Sequence, residues 1–67
     1  MITLRINGET RAVPPPKSLA ELLHYLGIGQ GGIAVEVNQR IIRRRDWQVT
    51  PICDADKVEI VQFVGGG

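Results

Sequence analysis

Sixty-seven residues make one domain near the lower size at which a chain folds alone, burying only ~60% of the surface exposed when unfolded. Eight Lys and Arg against seven Asp and Glu leave a net charge of +1, without the marked basic excess of a nucleic-acid binder. An apolar fraction of 43% argues against disorder, one cysteine excludes an internal disulfide, and no apolar run is long enough to span a bilayer.

So short a chain has little left over to enclose an active site, which argues against a self-sufficient enzyme. No Cys/His cluster has metal-ligand spacing, and a single thiol suits a reducing compartment. The expectation is a soluble cytoplasmic protein with no metal, no nucleic-acid partner and no membrane partner.

Ile2-Thr3-Leu4-Arg5-Ile6 alternates apolar and polar, the period of a strand with one buried face. Asn7-Gly8 then predicts a tight hairpin turn, because both residues accept positive φ, and Thr10 to Val13 returns. Pro14-Pro15-Pro16 cannot donate ladder hydrogen bonds, so it ends that strand as a stiff connector. Ser18 followed by Glu21 is a capping box that opens a helix. Leu19, Leu22, Leu23 and Leu26 fall at i, i+3, i+4 and i+7, a single stripe that faces a core, and Gly27 stops the helix. His24 and Tyr25 lie off that stripe, and no second ligand at metal spacing accompanies the histidine.

Gly27-Ile28-Gly29-Gln30-Gly31-Gly32 satisfies G-x-G-x-x-G in letters only. A dinucleotide site requires the glycines to follow a strand and open a helix, whereas here they follow a helix and precede a strand. That strand is Ile33 to Val37, with Ile33, Val35 and Val37 on one side; Asn38-Gln39 turns it and Arg40-Ile41-Ile42 resumes briefly. Arg43-Arg44-Arg45-Asp46-Trp47 reads as a solvated turn with Trp47 closing the core, or as a docking patch for an acidic partner. Val49 to Ile52 is irregular. Cys53 reads as a small buried hydrophobe, since a reactive thiol needs a base or electropositive setting and Asp54 and Asp56 follow instead. Those two aspartates are turn formers ahead of the last strand.

Val58 to Val64 closes the fold, with Val58 and Ile60 on one face, and Glu59, Val61 and Phe63 on the other. A single helix covers one face only, so Val61 and Phe63 are expected to stay partly exposed, as contact sites do. Gly65-Gly66-Gly67 follows with no charged or serine-rich linker. A segment that leaves the core and then loses every side chain is slender enough to enter another protein's active site. It ends in an α-carboxylate, the reactive group of the chain. The expected division is a domain over 1–64 and a flexible tail over 65–67.

One helix laid across a mixed sheet is a two-layer α+β architecture. With the first and last strands side by side at its centre, it resembles the ubiquitin-like β-grasp. From Met1 to Gly67 the residues resemble the ThiS family, the small sulfur carriers of thiamin thiazole biosynthesis. The likeness rests on Ile2, Leu4 and Ile6, on Asn7-Gly8, on Ile33-Ala34-Val35-Glu36-Val37-Asn38, and above all on Asp56 to Gly67. The family pattern asks for Gly66-Gly67, and Gly65 is an additional glycine.

The resemblance implies a protein co-substrate rather than an enzyme. An adenylyltransferase of the ubiquitin-activating kind would adenylate the Gly67 carboxylate with ATP and magnesium. Sulfur from a cysteine-desulfurase relay would then displace AMP and leave a thiocarboxylate for thiazole synthase. On that account Gly65 and Gly66 enter the partner's active site, and Val61, Phe63 and Val64 are docking contacts. Two related roles stay open: a sulfur carrier for molybdopterin synthesis, whose tails typically carry a proline-containing run that is absent here, and a ubiquitin-like protein modifier. A plain interaction domain with leftover glycines is the third.

Overall fold

The computed structural model describes residues 1–29 and 31–63. Strands β1 (Ile2–Ile6) and β2 (Glu9–Val13) form the hairpin, in register from Ile2 opposite Val13 to Ile6 opposite Glu9. Helix α1 spans Leu19–Tyr25, β3 Ile33–Val37, β4 Arg40–Ile42, a 3₁₀ helix Arg44–Val49, and β5 Lys57–Gln62. The sheet order is β2-β1-β5-β3-β4, so the first and last strands lie side by side at the centre. β1 and β5 run parallel and every other neighbouring pair is antiparallel.

Asn7 and Gly8 have the predicted positive φ, at 51° and 83°, and the Asn38-Gln39 turn takes the same handedness, at 51° and 70°. Ser18 is extended and its hydroxyl accepts the Glu21 N–H at 3.2 Å. Glu21 reaches back one residue further than a capping box requires, accepting from the Lys17 N–H at 2.8 Å. At the other end Gly27, at φ 73°, donates to the His24 carbonyl and Ile28 to that of Leu23, the pair of bonds that satisfies the last free carbonyls of a helix.

The helix has only seven residues, too short to persist without tertiary packing. Leu19, Leu22 and Leu23 are fully buried against Leu4, Ile6, Val13, Val35, Val37 and Val58 on one face of the sheet. Trp47, 3% exposed, and Ile52 complete the core. The Trp47 indole N–H donates to the Ile42 carbonyl at 3.0 Å, and Leu19 N–H to the Thr50 carbonyl at 2.8 Å, which fixes the 3₁₀ helix beside α1. Cys53 departs from expectation: it is exposed, not buried. Ile52 takes the inward position. The next residues form a tight turn in which the Asp56 carboxylate accepts from the Cys53 N–H and the Asp56 N–H donates to the Cys53 carbonyl, leaving the thiol on the solvent side.

The two central strands share only two directly registered pairs, Arg5–Lys57 and Ile6–Val58, before β1 turns away. Asn7 continues the ladder with its side chain. Its amide donates to the Ile60 carbonyl at 3.1 Å while its carbonyl oxygen accepts the Ile60 N–H at 2.7 Å. Asn38 grips the other end of β5, accepting from Lys57 N–H and donating to Asp56 at 3.0 Å each. Replacing Asn7 with Ala strands both Ile60 backbone groups, and should cost about 1–3 kcal/mol in urea unfolding at an unchanged m-value. Leu22→Ala removes a fully buried side chain and should cost about 2–5 kcal/mol in the same experiment.

Candidate functional site

Strand β5 carries the chain out of the core. Its register with β3 places Val58 and Ile60 opposite Val37 and Val35, on the face packed by α1. Glu59 and Val61, opposite Glu36 and Ala34, fall on the bare face. Val61 is 57% exposed and Phe63 60%. Phe63 N–H donates to the Gly32 carbonyl at 2.7 Å, one residue past β5. Val64, Gly65, Gly66 and Gly67 lie outside the described residues, and with them the expected boundary between domain and tail.

Among the described residues, no three His, Cys, Asp or Glu side chains lie where they could hold a metal, and no polar or charged residue is buried. No helix there is long and apolar enough to cross a membrane. His24 and Cys53 are exposed on separate elements. Asp54 and Asp56 serve as turn formers: Asp54 accepts the Thr3 N–H at 2.7 Å, and Asp56 accepts from Cys53 and Asn38. The glycines of the G-x-G-x-x-G string connect α1 to β3, with no helix N-terminus following them.

The sequence reading did not single out Ile41. It lies 74% exposed and stands opposite Glu36, which itself stands opposite Glu59. Ile41 thus shares the bare face with Val61 across β3. A three-residue strand has too little periodicity to show which of its side chains points outward; only the pairing with β3 does.

A mixed sheet with a parallel central pair, one helix across one face and the chain leaving from the central strand defines a protein of the ubiquitin-like β-grasp class. The ThiS family model matches residues 4–67, and the chain belongs to the ThiS family. It is 46% identical over 65 residues to the sulfur carrier protein ThiS of Bacillus subtilis, covering 96% of this chain and 98% of that protein. It is 39% identical over 64 residues to a thiazole synthase of Paramagnetospirillum magneticum, covering 96% of this chain but 20% of that much longer protein. The crystal structure of ThiS from Geobacter metallireducens superimposes with a TM-score of 0.84 at 32% identity, over 98% of this chain and 100% of that one.

The two faces of β5 should respond oppositely to a charge. Val61→Asp adds it to an exposed surface and should change unfolding free energy by no more than about 0.5 kcal/mol. Val58→Asp places an unpaired charge in the fully buried core, and should leave the chain unfolded by circular dichroism at room temperature.

Proposed function

We propose that this chain is the sulfur carrier of thiazole formation in thiamin biosynthesis, bearing sulfur as a thiocarboxylate on Gly67. The observation that supports this most directly is a family match that runs through Gly67 itself. The protein is a co-substrate, not a catalyst. Its likeness to sulfur carrier proteins agrees with that role.

The chemistry follows from what a carboxylate lacks. Its leaving group would be oxide, so it does not acylate sulfur. Attack of a Gly67 carboxylate oxygen on the α-phosphorus of ATP, with magnesium on the phosphates, releases pyrophosphate and forms an acyl adenylate. The terminal sulfur of a persulfide from a desulfurase relay attacks the carbonyl carbon and AMP departs, leaving an acyl disulfide. A second thiol then cleaves its S–S bond, releasing the thiocarboxylate and forming a disulfide with the donor sulfur. The adenylyltransferase supplies the catalytic groups; Gly65 and Gly66, without Cβ atoms, let the terminus approach the nucleotide closely.

Docking then makes sulfur transfer effectively intramolecular. Val61, Phe63 and Val64 are the contacts assigned to that docking, because the first two are exposed apolar groups at the base of the tail. Thiazole synthase is the acceptor, consistent with a thiazole synthase chain that contains a domain similar to this one.

Incubation with the adenylyltransferase, ATP, magnesium and a cysteine-fed sulfur source should raise the intact mass by one sulfur less one oxygen, confined to the C-terminal fragment. An unchanged mass with a demonstrably active enzyme would sink the proposal. Val61→Asp combined with Phe63→Asp should slow this conversion at least ~10-fold with the fold intact, as expected of residues at the centre of an interface.

A further inference from the structure

The surface left without a role lies along the outer edge of β4. Half of the chain's eight cations, Arg40, Arg43, Arg44 and Arg45, fall within six residues, and Asp46 is the one acid beside them. All four arginines are exposed. Among the described residues no carboxylate partners Arg40, Arg43 or Arg45. Those three line an open groove of about 580 Å³ together with Ile41, Val49, Pro51 and a single carboxylate, Asp46, so that cations outnumber acids there three to one. Ile41 and Val49 are 74% and 75% exposed, more than any other large hydrophobic side chain among the described residues except Met1. Folding does not account for such an arrangement, since neither the charges of Arg40, Arg43 and Arg45 nor the apolar pair Ile41 and Val49 is used internally among the described residues. Arginine beside exposed apolar groups is the composition enriched at protein interfaces.

The groove meets the bare face of the sheet at Ile41. β4 stands two strands from β5, about 10 Å across the sheet. Ile41 shares the bare face with Val61. A standard interface takes about 800 Å² from each partner, a footprint roughly 16 Å in radius. A body that covers Val61 and Phe63 while taking in the tail therefore reaches β4. Four terminal residues threaded into an active site leave the carrier free to rotate about its own tail, and a second contact of opposite charge removes that freedom.

We infer that this groove docks an acidic surface of thiazole synthase, whose carboxylates pair with Arg40, Arg43 and Arg45 and whose apolar side chains cover Ile41 and Val49. The inference rests on the proposed sulfur-carrier role, and it commits to thiazole synthase because a domain similar to this chain forms part of one such enzyme. Charge pairs at the rim of an interface act mainly on the association rate. They are screened by salt, with a Debye length of about 10 Å at 0.1 M.

The test measures association of the full chain with thiazole synthase at roughly 20 mM and roughly 300 mM salt, either side of that screening range. The variant carries Arg40→Glu, Arg43→Glu and Arg45→Glu; a milder set with Gln at the same positions guards against misfolding. A control reverses the charge at Arg11 and Lys17, which lie outside the groove and off β5, and is compared with the groove pair Arg40→Glu and Arg43→Glu so that the net charge change is equal. The expected result is association at least ~10-fold slower for the groove variant at low salt, converging on the wild type at high salt, with the control closer to the wild type. Equal rates for groove variant and wild type at low salt would overturn the inference, as would equal slowing by the control and the groove pair, which would make net charge the cause. Slowing seen with the adenylyltransferase and not with thiazole synthase would overturn the choice of partner. Thiocarboxylate formation on Gly67 is read separately by mass. If it fails in the wild type, the sulfur-carrier reading falls; if it succeeds while the groove variant associates normally, only the docking inference falls.

Discussion

A strand at the centre of a sheet needs hydrogen-bond partners along both edges, and in this chain the central strand is also the last one. β3 satisfies one edge of β5 along its length, from Ile33–Gln62 to Val37–Val58. On the other edge β1 runs parallel for two registered pairs and then turns back into its hairpin. Ile60 would face that gap with its N–H and C=O unpaired. The Asn7 side chain presents one donor and one acceptor at the spacing of a peptide group and closes it. The rest of the molecule depends on this. The chain departs toward Gly67 from the best-held strand, so a pull on the terminus is opposed by two ladders and not by a frayed edge.

The second constraint is size. One seven-residue helix covers one face of a five-stranded sheet and leaves the other bare. In a larger domain that face would carry a second layer. Here Val61, Ile41 and Phe63 remain at the surface, which is unfavourable for a protein alone and useful for one that must be grasped. The same economy removes any interior in which to build a catalytic centre. The chemistry proposed for Gly67 must be supplied by an enclosing enzyme, and what this chain contributes is a slender acyl end on a body that can be recognised.

Recognition and delivery are separable in this design. On the proposed reading, docking through the bare face and the β4 groove would set position and orientation, while glycines at 65 to 67 carry no side-chain information. Each partner that must handle the terminus can use the same stalk and distinguish the carrier by its body. Four of the eight cations lie along one edge, while the Asp54 and Asp56 carboxylates are occupied by Thr3, Cys53 and Asn38, and this gives the body a polarity despite a net charge of only +1.

Much of this was legible in the sequence because it is local. The period of two in Ile2-Leu4-Ile6 and in Val58-Ile60 assigned the buried face. The Ser18–Glu21 cap, the leucine stripe and Gly27 bounded the helix to the residue, since each acts within one or two turns. Asn7-Gly8 favoured positive φ through its own residue types, and the turn adopts it. Only the tertiary structure decided the rest. It established the pairing of β1 with β5, residues more than fifty apart whose adjacency the resemblance implied and no periodicity carried, and the second use of Asn7 as a substitute peptide group. It also put Cys53 at the surface and Ile41 beside Val61 on one face. A sequence specifies which residues must be buried through periodicity, but neighbours across a sheet are set by strand order, and no local pattern carries that order.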